Sequence, residues 1–260
     1  MNTHQYIATI AGFDPSSGAG LSSDIKSFEA HGFYGLSVCT AITVQNDITF
    51  KDCIWTVPEV ILAQIETLFE RFNIPVIKIG IVQSWEVLRA IVHKIKTIAP
   101  ETKIIVDPIV KASAGFDFHS KESQELLDGI WKQCYIITPN YEEIQQLYPS
   151  LSIEETLDHL STLTQVYLKG GHREDKKGWD TLYHSHIIQV NLAPTFTKNM
   201  YEKHGSGCVL SAALACQIYN DQSLEDACKK AKYYTELFLR SDPSLLGKHD
   251  YAFTKEINLT

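Results

Sequence analysis

Tyr6-Ile7-Ala8-Thr9-Ile10-Ala11 runs directly into Gly12-Phe13-Asp14-Pro15-Ser16-Ser17-Gly18-Ala19-Gly20, and the join of a short apolar run to a glycine-rich loop decides the fold class. The run is short, β-branched and not alternating, as expected of a strand covered on both faces. A segment of helical period follows near Ser23 to His31, and then a second apolar run, Leu36 to Val44. Strand, helix, strand predicts parallel pairing, because parallel neighbours need a crossover that returns the chain to the same end of the sheet.

The alternation continues outward. A helix near Pro58 to Phe72 precedes Val76 to Ile81, Trp85 to Lys96 precedes Lys103 to Asp107, and Lys121 to Trp131 precedes Tyr135 to Thr138. Ile153 to Leu163 then precedes Val166 to Lys169. Ile104-Ile105-Val106 and Tyr135-Ile136-Ile137 are continuously apolar, which again puts helices on both faces. Thr181 to His184 and Ile187 to Asn191 are two short runs split by Ser185-His186, and predict a hairpin near the sheet edge. Two C-terminal helices are expected, one after Gly205-Ser206-Gly207 and one after Ser223, a suitable N-cap. The fold class is therefore α/β, a mostly parallel central sheet of about eight strands with helices on both faces. No linker interrupts the 260 residues, so a single domain over 1–260 is expected.

Composition narrows the function classes. Thirty-one acidic residues against 23 basic give a net charge of −8 with His neutral, and no basic run is long enough to track a phosphate backbone, so nucleic acid is not expected as a partner. The first Lys or Arg is Lys26, and no stretch approaches the ~18 continuous apolar residues of a membrane span. A soluble cytoplasmic protein is expected, with no membrane partner. Cys39, Cys53, Cys134, Cys208, Cys216 and Cys228 form no C-x-x-C pair, which predicts reduced thiols rather than a disulfide framework or a zinc ribbon.

In an open parallel sheet, ligands bind outside the carboxyl ends of the strands. The unusual residues fall there: the Gly12 to Gly20 loop, Thr43-Val44-Gln45-Asn46, Asp107-Pro108 after the fourth strand, Thr138-Pro139-Asn140, Lys169-Gly170-Gly171 and the Gly205 loop. Any one is ordinary turn chemistry, but six on one rim point to a site. Gly205-Ser206-Gly207-Cys208 opens an Ala/Leu helix, whose unpaired N–H groups and positive dipole end make an oxyanion or phosphate hole. Neither glycine loop carries a Walker A or a G-x-G-x-x-G dinucleotide pattern. Asp107, Asn140 and Glu143 offer hard oxygens to magnesium through water, and Lys169 offers a point charge to nucleotide phosphates. The set suits phosphoryl transfer. His184 and His186 alternate onto one face of a short strand but lack a third metal ligand, and read as a solvent-facing pair.

These stretches, with Asp24-Ile25-Lys26, Lys78-Ile79-Gly80, Leu168-Lys169-Gly170-Gly171-His172 and His204-Gly205-Ser206-Gly207-Cys208, resemble the hydroxymethylpyrimidine/phosphomethylpyrimidine kinases of thiamin biosynthesis, a ribokinase-like family. The resemblance runs from about residue 5 to about residue 240 in one motif order. It implies a ribokinase-like three-layer sandwich, ATP and Mg2+ as cofactors, and commonly a homodimer. It also implies that the Gln45 amide reads the aminopyrimidine, and that Gly12, Ala19, Thr43, Ile81 and Ile109 line the pyrimidine pocket. Gly205, Ser206 and Gly207 match the anion hole, and Cys208 stands where most ribokinase-like enzymes place an aspartate base. A cysteine there points to the pyrimidine kinase branch, and its place at a helix N-terminus predicts a thiol pKa below the ~8.5 of free cysteine. Asp107 and Glu143 match the metal region, and Thr138, Asn140, Lys169 and the C-terminal Lys248 match nucleotide contacts. The chain departs from the family pattern at Phe13, at Lys111-Ala112-Ser113-Ala114-Gly115 and at Lys248-His249-Asp250, where a glycine-rich tail is missing. The rivals are a pyridoxal kinase, whose substrate also carries a hydroxymethyl group on a heteroaromatic ring, and a non-catalytic pyrimidine-binding sensor.

Overall fold

The computed structural model describes residues 5–109, 124–171, 176–184, 188–220 and 223–257. Among the described residues the strands are β1 (Tyr6–Phe13), β2 (Tyr34–Gln45), β3 (Phe50–Trp55), β4 (Val76–Ile79), β5 (Lys103–Val106), β6 (Ile136–Ile137), β7 (Gln165–Leu168), β8 (Asp180–His184) and β9 (Ile188–Leu192). They form one sheet in the order β3-β2-β1-β4-β5-β6-β7-β8-β9. Pairing is parallel from β2 through β7 and antiparallel for β3, β8 and β9 at the two edges. The chain winds one way from β1 to β2 and the other way from β1 to β4, so the crevice that binds ligands in such sheets opens between β1 and β4.

The helices are α1 (Gly20–Ala30), α2 (Pro58–Arg71), α3 (Trp85–Ile98), α4 (Gln124–Trp131), α5 (Tyr141–Leu147), α6 (Ile153–Ser161), α7 (Ser206–Tyr219), α8 (Leu224–Arg240) and α9 (Tyr251–Ile257). The two-residue period of a strand divides each apolar run between two cores. Ile7, Val76, Ile105, Ile136 and Tyr167 pack with residues of α1, α7, α8 and α9, while Ala8, Ile77, Ile104, Ile137 and Val166 pack with residues of α2 to α6. Each such Ile or Val contributes ~1.5–3 kcal/mol by leaving water. Every residue of α7 from Cys208 to Ile218 is buried, so this part of the helix is packed all round.

Three elements lie outside the sequence expectation. β3 makes a ninth strand where about eight were expected, and it moves Asp107 to the end of the fifth strand; Lys51-Asp52 in its middle breaks the apolar signal. The short helices α5 and α9 are also additional, so three helices rather than two close the chain. The Lys111 to Gly115 departure, His172 and His186 fall outside the described residues.

Candidate active site

The loop after β1 is shaped by one carboxylate. Asp14 Oδ1 accepts hydrogen bonds from the Ser16 N–H and hydroxyl (both 2.8 Å), and Oδ2 accepts from the Ala19 N–H (2.9 Å) and meets His204 Nε2 (2.9 Å). Burial opposes its ionisation, but the bonds from His204, Ser16 and Ala19 win and hold its pKa down to about 2. His204 belongs to the segment that leads into α7, so the Asp14–His204 pair ties the first glycine loop to the anion loop. Glycine is required at the join. Gly205 has φ +77, and a Cβ there would lie 2.1 Å from the Gly18 carbonyl oxygen.

The carboxyl ends of β5, β6 and β7 supply a second cluster. Asp107 Oδ1 accepts from Lys169 Nζ (2.7 Å) and from Thr138 Oγ1 (3.1 Å), and Glu143 Oε2 lies 3.6 Å from the same ammonium. Burial works against the Lys169 charge, yet Asp107 and Glu143 hold its pKa well above the usual lysine value. Burial pushes the Glu143 carboxyl up, Lys169 opposes this and Asp107 adds to it. Asn140 and Glu143 also form a reciprocal capping box at the start of α5: Glu143 N–H donates to Asn140 Oδ1 and Asn140 N–H to Glu143 Oε2. The Asn140 side-chain oxygen thus helps hold Glu143 in place. A Cβ on Gly207 would lie 3.3 Å from Lys169 Nζ and 3.8 Å from Asp107 Oδ2, so the anion loop closes directly over this cluster.

Ser206, Gly207 and Cys208 form the first turn of α7 after the Gly205 N-cap, where N–H groups have no partner within the helix. The expectation of a lowered Cys208 pKa is overturned. Burial pushes the thiol up to about 11, outweighing Lys78, which acts to lower it, while Asp24 and Asp107 add to the rise. The helix terminus does not compensate for the loss of water around a 7% exposed residue.

At the crevice end, a Cβ on Gly12 would meet Ile81 Cδ1 at 2.5 Å and Ala41 Cβ at 3.6 Å, which places Gly12 and Ile81 in contact. Thr43 is buried and donates to the Phe13 carbonyl (2.9 Å), and half-buried Gln45 ends β2 beside it. Ala19 caps α1 and half-buried Ile109 follows Asp107 on the same rim. Lys248 is not brought to the cluster. Its N–H is held by Ser241 Oγ (2.9 Å), its side chain is 72% exposed, and its ammonium lies 4.0 Å from Asp242. Asp14, Asp24, Lys78 and His204 are site residues to which the sequence reading gave no role, although all four lie in the quoted motifs.

A left-handed glycine loop at a helix N-terminus, set over a buried carboxylate–ammonium cluster at the strand ends of a doubly wound sheet, defines a ribokinase-like phosphotransferase. The family model "Phosphomethylpyrimidine kinase" matches residues 14–252. The chain is 32% identical over 251 residues to the hydroxymethylpyrimidine/phosphomethylpyrimidine kinase of Escherichia coli K12, covering 93% of each. The crystal structure of phosphomethylpyrimidine kinase from Clostridium difficile 630 superposes with a TM-score of 0.72 at 30% identity, covering 89% of this chain and 97% of that one. Pyridoxal kinase from Staphylococcus aureus has a TM-score of 0.80 over 96% of this chain and 95% of its own at 22% identity, a likeness of fold. The chain belongs to the phosphomethylpyrimidine kinase family.

Proposed function

We propose that this protein transfers the γ-phosphoryl group of ATP to the hydroxymethyl group of 4-amino-5-hydroxymethyl-2-methylpyrimidine, and then to the resulting monophosphate. The observation that carries this is the placement of Gly207 over Lys169 and Asp107, which sets backbone N–H donors and a buried ammonium around one small volume. There the three equatorial oxygens of a transferring phosphoryl group are stabilised with little reorganisation. The substrate hydroxyl, seated by Gln45 and the Gly12–Ile81 side of the crevice, attacks phosphorus. Its O–H bond breaks late as the new O–P bond forms, the bond to the ADP oxygen breaks, and Cys208 in its thiolate form takes the proton. Lys169 holds the phosphoryl charge and Thr138 holds Asp107. Two buried carboxylates converging on one ammonium suit Mg2+ held through water by Asp107 and Glu143, and the ion would neutralise charge on the nucleotide phosphates.

The pyrimidine reading is favoured over pyridoxal because the relatives that share about 30% identity over nearly the whole chain are named for it, while the pyridoxal kinase likeness rests on fold. ADP release measured in parallel with the pyrimidine alcohol, its monophosphate and pyridoxal tests the assignment. Turnover confined to pyridoxal, or absent with all three, overturns it. We further propose that residues 1–260 form a single kinase domain and that the protein works as a homodimer. Its six free cysteines fit the reducing cytoplasm, and its net charge of −8 disfavours nucleic acid.

A further inference from the structure

Next to Lys169 lies a buried ion pair to which the proposed reaction gives no part. Asp180 opens β8, one step beyond the Leu168–Thr181 pair of β7 and β8. Lys232 of α8 reaches it, with Nζ 2.8 Å from Asp180 Oδ2, and the Tyr167 hydroxyl of β7 donates to the same oxygen at 2.8 Å. All three side chains are buried. Burial and the Asp180 charge push the Tyr167 phenol up, so it stays a donor. The other oxygen turns to the backbone: Asp180 Oδ1 accepts the Gly170 N–H at 2.7 Å, and Gly170 follows Lys169 directly. A ring closes through Gly178, whose N–H donates to the Gly170 carbonyl (3.1 Å) and whose carbonyl accepts from Lys232 Nζ. Hydrophobic side chains of similar size would hold α8 on the sheet at least as well as a buried ion pair does. A carboxylate divided between an ammonium and one amide just past the end of β7 points to what that strand end carries.

We propose that Asp180 is a positioning residue of the phosphoryl transfer: oriented by Lys232, its carboxylate fixes the Gly170 amide and so holds the Lys169 ammonium beneath the anion loop, where it meets the nucleotide phosphates. This rests on the role given to Lys169 above. The link is a chain of direct contacts. The Lys169 N–H donates to the Pro139 carbonyl (2.8 Å), and its ammonium lies 2.7 Å from Asp107 Oδ1. The same ammonium would be 3.3 Å from a Cβ on Gly207. Two glycines follow Lys169, the residues with the widest backbone freedom, and Asp180 and Gly178 hold both backbone polar groups of the first. Without that anchor the backbone at Lys169 is free to shift, and a misplacement of about 1 Å in a group that positions the reactants is costly. Lys232 itself touches no substrate. Glu236, one turn further along α8, lies 3.6 Å from its ammonium and accepts the Thr195 N–H (2.9 Å) and the Phe196 N–H (3.3 Å). The ion pair is thereby tied also to the segment that leads on to the anion loop.

Two replacements remove the anchor: Asp180→Ala, and Asp180→Leu with Lys232→Met, which keeps the space filled. Asp180→Asn keeps an oxygen for the Gly170 N–H. Each is made in the parent and in Lys169→Ala, and calorimetry gives the Kd for AMP-PCP, a non-hydrolysable ATP analogue, with Mg2+, and for the pyrimidine alcohol. In the parent, loss of the anchor is expected to weaken AMP-PCP binding ~10-fold or more and to leave the alcohol within about twofold, while Asp180→Asn stays within about threefold for both. In Lys169→Ala the same replacements should change AMP-PCP binding by less than about twofold, because Asp180 acts through Lys169. A merely structural role gives equal losses for both ligands, or a loss that persists without Lys169. Either pattern overturns the proposal. So does parental AMP-PCP binding in a variant lacking the anchor, an Asp180→Asn variant as weak as Asp180→Ala, or failure of both anchor-less variants to fold as the parent does. If Lys169→Ala alone binds AMP-PCP as the parent does, the role given to Lys169 falls and this one with it. If the parent binds AMP-PCP but does not phosphorylate the pyrimidine, the proposed substrate falls, and the binding cycle still decides what Asp180 does.

Discussion

Cys208 is the residue at which local pattern and tertiary environment conflict. A helix N-terminus favours thiolate and burial favours thiol, and burial wins, placing the pKa at about 11. Only a small share of enzyme then carries the thiolate at neutral pH. If that form takes the substrate proton, kcat climbs close to tenfold per pH unit from neutrality toward the thiol pKa. Cys208→Ala removes the slope and lowers kcat by ~10²-fold at pH 8 with little change in either KM. A steady-state pH profile that is equally flat for both proteins would leave the backbone N–H groups and Lys169 as the active parts of the loop. Gln45 makes a separate claim, on specificity. Its amide offers a donor and an acceptor to the ring edge, so Gln45→Ala should weaken pyrimidine binding by ~1–3 kcal/mol and leave ATP binding unchanged in calorimetry. Equal losses for both ligands would remove it from the pyrimidine pocket.

At the scale of elements, the two glycine loops act as one unit because Asp14 links them. Its pKa of about 2 lies below the ordinary aspartate value of 3.8, so the unfolded chain binds more protons between these two values and stability rises with pH there. The contribution is complete above pH 3.8 and is lost as pH falls through about 2. After allowance for solvent near the loop surface it amounts to ~1–2 kcal/mol. Asp14→Asn should therefore be less stable than the parent by that amount at pH 6, and the difference should narrow below pH 3.8 and close as pH falls through about 2 in urea titrations; a gap that is the same at both ends of this range would show that Asp14 stays neutral. Most elements were legible because buried strands and amphipathic helices write their periods into the chain: Ile104-Ile105-Val106 and α3 were readable from side chains alone. β3 was not, since an edge strand tolerates exposed charged residues such as Lys51 and Asp52. α5 is instructive, because Asn140 and Glu143 stand at capping-box spacing, a helix-start signal present in the sequence alongside the nucleotide and metal roles proposed for them. The sites on the rim were readable as types, while the Asp14–His204 and Asp24–Lys78 pairs join residues 190 and 54 positions apart and depend on the folded topology.

At the scale of the whole molecule, the sheet leaves one apolar surface open. Ile42 and Val44 on one face of β2, Ile54 opposite Ile42 on β3, and Phe13 beside Ile42 on β1 are all exposed. Four large apolar side chains grouped this way are uncommon on a monomer. Open-ended growth is blocked at the β3 edge by Lys51 and Asp52, so a two-fold pairing of these faces is the closed solution available to a second copy. It would also brace the strand end that carries Gln45 and the loop that begins at Gly12, without adding a side chain to the chemistry. Ile54→Asp places a charge in the patch beside Ile42, and should convert the proposed homodimer to a monomer in light scattering at micromolar concentration. Its melting temperature should become independent of protein concentration, because association no longer contributes to stability. A parent that is already monomeric at that concentration, or an Ile54→Asp variant that remains dimeric, would rule this face out as the contact between copies.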